Sequence, residues 1–182
     1  MEKISIDVLQ LLATLNPLED RPLKLLLSDA EQFRLLAEEI TEEPLGDDEI
    51  VDINGEIVFT KNGKAIHADT LRLTGKGFFN IDGQMRAVDF PYNRHMFYGS
   101  AIYVNGLPAG GDWVGLKPVT SIVLYKDKGE TPLLAKATMA GSLIQSDAEA
   151  KQLTLVAVNT KKWREARTPA LQSLLSTLHH GY

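Results

Sequence analysis

His67-Ala68-Asp69-Thr70-Leu71-Arg72-Leu73, Thr74-Gly75-Lys76-Gly77, Phe78-Phe79-Asn80-Ile81-Asp82-Gly83-Gln84-Met85: this stretch decides the fold. Both arms are rich in β-branched, aromatic and other strand-compatible residues, and glycines bound the turn, which together read as a hairpin. With an even loop centred on Gly75-Lys76, Leu73 faces Phe78. Antiparallel counting from that pair sets Asp69 opposite Asp82, and His67 opposite Gln84. Directly opposed side chains have their Cβ atoms about 5 Å apart. An odd loop would slip the register and separate the pair. In the even register the tip of one face is apolar (Leu71, Leu73, Phe78), and its base carries His67, Asp69, Asp82 and Gln84. Two carboxylates that close repel one another. Either they are ordinary solvated acids, or something sits between them: a shared proton, or a divalent cation of the hard, oxygen-seeking kind.

Working outward from the hairpin, residues 50–59 read as extended with a bend at Gly55, and Asn62-Gly63 is a strong turn signal. The reading is a three-strand meander whose second and third strands are the hairpin above. Upstream, Ile4, Val8, Leu9, Leu11, Leu12 and Leu15 have helical spacing, and Asn16-Pro17 ends that helix. The helix of residues 1–15 packs on the body of the domain, with a dimer contact as the alternative. Ser28 or Asp29 caps a second helix with Phe33, Leu35, Leu36 and Ile40 as its core positions. Downstream of Pro91, residues 92–104 read as a helix with Arg94 and Tyr98 on one face. It stops in the breaker-rich Asn105-Gly106-Leu107-Pro108-Ala109-Gly110-Gly111. Those glycines do not follow a strand and open a helix, as a phosphate loop must. Residues 116–125 form a continuous apolar run suited to a buried strand. Residues 133–140 and 153–158 are further strands, and Trp163 with residues 170–178 makes a closing helix. His179-His180 reads as a disordered terminus rather than a metal pair. A meander followed by a helical crossover to another strand implies an α/β fold with a mixed sheet flanked by helices.

The 182 residues suit one domain. No cysteine is present, which excludes disulfides, thiolate zinc sites and a cysteine nucleophile. A net charge of −5 argues against a broad electrostatic embrace of nucleic acid, although a local basic groove depends on where the charge sits rather than on its sum. No apolar run spans a bilayer and no signal-peptide pattern opens the chain, so no membrane association and a cytoplasmic location are expected.

At this point the sequence resembles the PD-(D/E)XK nuclease superfamily, and within it the transposase-associated branch with its recombination-promoting nuclease relatives. The family core is a helix, a three-strand meander, a helix and a fourth strand. Its motif is an Asp on the second strand and an acid-x-Lys pair on the third, with Gln replacing Lys in this branch. Ile81-Asp82-Gly83-Gln84 is similar to the branch's Ile-Glu-Met-Gln, and Asp69 falls at its first acid. Leu15-Asn16-Pro17-Leu18-Glu19-Asp20, Leu23-Lys24 and Leu27-Ser28-Asp29 resemble its opening segment. Arg94 with Tyr98 resembles the helix after the motif. Gly111-Asp112-Trp113-Val114-Gly115-Leu116-Lys117-Pro118-Val119 resembles its Gly-x-x-Tyr-x-x-Leu-Lys-Pro-Val segment, with Trp113 for Tyr. A late strand ending in lysine corresponds to residues 153–162. The likeness covers residues 15–162. Asp82 is one methylene shorter than the usual Glu, and Gly83 stands beside it.

The resemblance implies a restriction-endonuclease-like αβββαβ core within a single domain, residues 1–182. Residues 1–15 form an N-terminal helix, 16–126 the core, and 127–182 the C-terminal strands and short helix. It implies a DNA endonuclease of mobile-element origin with Mg²⁺ or Mn²⁺ held by Asp69, Asp82 and the Gly83 carbonyl. Gln84 would orient the attacking water. Asp69, Asp82 and Gln84 are thus the expected catalytic residues, and Lys24, Arg94 and Lys117 the expected substrate contacts, with Arg86 a further basic candidate. Two other readings stand beside it: a catalytically silent relative that binds DNA or protein, and a small α/β binding domain without chemistry. A homodimer is left open.

Overall fold

The computed structural model describes residues 23–24, 27–46, 49–53, 56–59, 64–68, 70–88, 92–106, 110–111, 115–127, 130–142 and 149–180. Helix α1 (Ala30–Thr41) begins where the sequence places a cap: the Asp29 side chain accepts from the Gln32 N–H, which satisfies one of the orphan donors of the first turn. Phe33, Leu36, Ala37 and Ile40 form its buried stripe, at the spacing of one helical face. Leu35, expected in the core, is only half-buried, and Ala37 lies inward instead. The helix ends at Glu42, whose backbone is left-handed (φ 64°) and whose N–H donates to the Glu38 carbonyl.

The main sheet has six strands. Strands β1 (Val51–Asp52), β4 (Leu71–Thr74) and β5 (Gly77–Val88) form an antiparallel meander. Helix α2 (Tyr92–Asn105) then crosses over to β6 (Val119–Asp127), which lies parallel to β5. Beyond it come β8 (Glu149–Asn159), parallel to β6, and β7 (Leu134–Ser142), antiparallel to β8. The spatial order is β1-β4-β5-β6-β8-β7. A 3₁₀ helix (Thr160–Glu165) and α3 (Pro169–His180) follow. The architecture is thus α/β, a six-stranded mixed sheet flanked by helices, with β2 and β3 intervening in the chain between β1 and β4.

Alternation along the strands sorts the core into two layers. Phe79, Ile81, Ile122, Leu124, Val156 and Val158 pack with α1 and α3 on one face. Leu71, Val119, Leu153 and Leu155 pack with Ile102 of α2 on the other. Helices therefore cover both faces, as a sheet with parallel strands requires. Among the described residues, no helix is long and apolar enough to cross a membrane.

The expected register is found: Leu73 pairs with Phe78, and the two-residue tip is Gly75-Lys76. Gly77 closes the turn with φ 119°, and a Cβ there would overlap the Pro118 carbonyl oxygen, which accepts from the Phe78 N–H at 2.8 Å. A side chain is therefore excluded on two counts, backbone angle and space.

Three expectations change. The meander does not include the Asn62-Gly63 hairpin. Strands β2 (Glu56–Phe59) and β3 (Lys64–His67) pair with each other in a separate two-stranded sheet. His67 consequently pairs with Glu56, not Gln84, because the chain leaves β3 before β4 begins at Leu71; the ladder partner of Gln84 is Tyr125 on β6. Arg72 on β4 meets Asp52 on β1 at 2.9 Å. Its guanidinium also donates to the Leu27 and Ser28 carbonyls and lies over the Phe33 ring. His179 and His180, expected as a disordered end, belong to α3, and the His180 ring meets Trp163 edge-on.

Candidate functional site

Strand β5 carries the motif, and its alternation decides which side each residue serves. Phe79 and Ile81 face α1, so Asn80, Asp82 and Gln84 face α2. Gly83 faces α1, where a Cβ would stand 2.8 Å from the Leu23 Cδ2. Glycine thus lets Leu23, itself buried, lie directly on the strand behind the motif.

Helix α2 approaches the opposite face closely. A Cβ on Gly99 would be 2.6 Å from Leu153 Cδ1, so the helix backbone packs directly against that leucine side chain. His95, Gly99 and Ile102 are buried at i, i+4 and i+7 spacing, which is the inward stripe. His95 is its first member and is 1% exposed. Its Nε2 lies 3.5 Å from Asp82 Oδ2, and the Asp82 side chain is 2% exposed. Arg94, the preceding residue, sits at the helix edge with half its side chain in solvent. Its Nη2 is 3.8 Å from the same Asp82 oxygen, and its Nη1 donates to Gln84 Oε1 at 3.0 Å. The guanidinium also lies 5.0 Å from the centre of the Tyr98 ring, one helical turn on. All of this occurs in the first turn of α2, where the positive end of the helix dipole favours a carboxylate. Tyr92, at the helix start, lines a small void with His95, Ser121 and Val123. Burial first, and Tyr125 second, push its phenol above the ordinary range.

The structure thus brings together three of the residues read from the sequence: Asp82, Gln84 and Arg94. Asp69 lies outside the described residues. Lys24 follows Leu23 and is exposed beside the α1-side core. Lys117 is exposed two residues before β6. Four rungs separate the Phe78–Val119 pair from the Asp82–Val123 pair, so Lys117 stands at least about 13 Å along the strands from Asp82, at about 3.3 Å per residue. Lys117 therefore does not join the cluster. The side chains of His67 and Arg86 are outside the described set.

His95 is the residue that sequence reasoning passed over. The signal was there: a histidine opening an i, i+4, i+7 stripe otherwise made of Gly99 and Ile102 is a polar group aimed at the sheet. What the sequence did not reveal is that the stripe meets Asp82.

The donor set can be tested against a hard cation. The Asp82 carboxylate, the Gly83 carbonyl and the Gln84 amide oxygen are oxygen donors of the right chemical kind. Among the described residues no group of three or more His, Asp or Glu side chains is arranged to hold a metal ion. Comparison with family models, with curated proteins and with solved structures finds no match to this chain.

Proposed function

We propose that the chain is a metal-dependent DNA endonuclease-like protein on a restriction-endonuclease-like core, with its site at Asp82, Gln84 and Arg94. The observation that carries the reading is the convergence of those three side chains at the first turn of α2, from segments ten residues apart. The hairpin register supports it further. Leu73 pairs with Phe78, the even-loop register on which the expectation for the two acids was built.

In this reading Asp69, Asp82 and the Gly83 carbonyl hold Mg²⁺ or Mn²⁺. Such an ion supplies a bound water of lowered pKa and neutralises charge on the phosphate. The chain's own residues do the rest. Gln84 orients the water through its amide, but carries no charge. The positive charge that lysine provides in related motifs therefore has to come from elsewhere, and Arg94 is the guanidinium within reach. Its planar fork suits a phosphate oxygen pair, and its stacking on Tyr98 restricts where it points. His95 holds the Asp82 carboxylate from below, where water is excluded.

A second reading is favoured by one specific observation. Asp82 is 2% exposed and already faces two nitrogen bases. A carboxylate so enclosed also suits a silent relative in which Asp82, Arg94 and His95 are structural and the domain binds DNA or protein. The test is nicking of supercoiled plasmid with Mg²⁺ or Mn²⁺, using wild type, Asp82→Asn and Asp69→Asn. Cation-dependent nicking that both substitutions abolish supports the endonuclease. No nicking by a folded wild type, with retained mobility shift of the DNA, supports the silent binder.

A further inference from the structure

A cleft of about 380 Å³ opens on the α1 face of the sheet. Its size falls within the range of about 300–1,000 Å³ usual for small-molecule sites. The floor follows from the strand register. Phe79 pairs with Thr120, and Thr120 with Thr154, so the three side chains line one face. Asp82 lies three rungs further along β5 and faces α2 instead. None of the cleft residues belongs to the Asp82 cluster, so the two sites stand or fall separately.

The polar groups of the lining are mostly unspent donors. Thr154 is 6% exposed, yet its hydroxyl has no hydrogen-bond partner among the described residues. A polar group so buried normally finds one. The Thr120 hydroxyl beside it, half-buried, is likewise without a partner among them. The Tyr103 hydroxyl donates to Gln152 Oε1 at 2.6 Å, which leaves the Gln152 NH₂ as a further donor in the lining. Lys76, on the turn between β4 and β5, makes no ion pair among the described residues. The acid of the lining, Glu43, is already matched by Lys136 at 3.4 Å. One positive charge is therefore left over, that of Lys76, beside an apolar wall of Phe79, Leu116 and Pro118. We propose that the cleft binds a small monocarboxylate with an apolar body. Its two oxygens accept from the Thr120 and Thr154 hydroxyls, Lys76 neutralises its charge, and its apolar part rests on Phe79, Leu116 and Pro118. A phosphate dianion would bring a second charge that no group in the lining balances.

The experiment is a titration of the intact chain, followed by the backbone amide chemical shifts of Thr120 and Thr154. The probes are benzoate, 3-phenylpropionate and hexanoate, with 3-phenylpropanamide as the neutral analogue and phenyl phosphate as the dianion. Wild type, Thr154→Val, Lys76→Met and Arg164→Gln are compared. Thr154→Val keeps the shape and removes the hydroxyl. Arg164 lies over Trp163 in the 3₁₀ helix, outside the cleft, so Arg164→Gln controls for net charge. Saturable shifts with at least one carboxylate are expected in wild type. Thr154→Val should weaken that binding about tenfold, as loss of a hydrogen bond to a charged group does. Lys76→Met should weaken it about threefold, the scale of an exposed ion pair, and Arg164→Gln should match wild type. No saturable shift with any of the three carboxylates overturns the proposal. So does equal binding of 3-phenylpropanamide, which would make the cleft merely apolar, or unchanged affinity in Thr154→Val. Tighter binding of phenyl phosphate than of every carboxylate overturns the charge match.

Discussion

Arg72→Ala is expected to destabilise the fold by about 4 kcal/mol, and the number follows from where the guanidinium sits. Its side chain is 5% exposed. It donates to the Leu27 carbonyl at 2.8 Å and the Ser28 carbonyl at 3.1 Å, and it meets Asp52 Oδ2 at 2.9 Å. Hydrogen bonds to a charged group are worth about 1.5–3 kcal/mol each. The two carbonyl bonds therefore set a scale of about 3–6 kcal/mol. Asp52 adds little, because its side chain is 38% exposed and water replaces the lost partner. Loss of the guanidinium from over the Phe33 ring removes that contact as well. Against this, some water will enter the vacated space and re-solvate the carbonyls, which keeps the estimate near the middle. For a chain of this size about 4 kcal/mol corresponds to a midpoint drop of roughly 8–16 °C. Urea titration followed by circular dichroism, with the slope checked for constancy, measures it directly. A loss below about 1 kcal/mol would refute the reasoning, since the guanidinium would then not be the tie between β4, β1 and the segment leading into α1.

Four further outcomes are expected. Asn159→Ala should cost about 2–3 kcal/mol in the same assay, because the amide donates to the Thr131 carbonyl and accepts from the Lys161 N–H at a site that is 0% exposed. Asp29→Ala removes the cap of α1 and should cost about 1 kcal/mol, with Asp29→Asn close to wild type. Gly77→Ala combines a left-handed backbone with overlap on Pro118; a loss above about 2 kcal/mol is expected, and a loss below about 0.5 kcal/mol would mean the tip re-forms another turn. The last concerns acid. Burial first, and then the charges of Lys126, His180, Lys161 and Arg164, lower the His179 pKa. The folded state keeps this imidazole neutral while the unfolded chain protonates it near its ordinary value of about 6.5. Unfolding therefore takes up a proton as pH falls. The contribution is full above about pH 6.5 and is lost as pH drops through the folded pKa. His179→Gln should flatten the decline in stability between pH 7.5 and 5, and an unchanged slope would count against it.

How much of this could be read from the chain depended on how local the cause was. The Leu73–Phe78 register is the even-loop alternative of the two that the sequence left open, and the two-residue Gly75-Lys76 tip selects it. The Asp29 cap, the helix after Pro91 and the apolar run of β6 were legible because each is fixed by neighbours within a few residues. Strands β2 and β3 were legible as strands, but their sheet was not. Nothing in residues 50–67 says that the pairing of Glu56 with His67 excludes both from the main ladder, because that depends on where the chain bends between β3 and β4. The partners of Arg72 were not legible, because its carbonyl acceptors come from a segment more than forty residues away. His95 failed in the opposite way. Its inward position was predictable from the helical stripe, and only the depth of α2 on the sheet, set by Gly99 against Leu153, turns that position into a contact with Asp82.

That depth is also what gives the cluster its character. A carboxylate on a central strand is tolerated under a helix only if charge or hydrogen bonding meets it. The sequence supplies this from one short segment: Arg94 and His95 sit about 100° apart around the helix, one at its edge and one beneath it. Because they are adjacent, they cannot be repositioned separately; any rotation of α2 that freed His95 would carry Arg94 with it. The small residue at Gly99 is therefore as much a part of the site as the charged ones. Gly99→Ala must push the helix outward or distort Leu153, and its first effect on the site should be to lengthen the His95–Asp82 contact rather than to remove any group. Chemical-shift perturbation at the His95 ring and the Asp82 backbone amide in this variant, with the distant His179 ring unchanged, is the expected signature. Equal perturbation at all three would mean that the helix does not set the site but merely shares its fold.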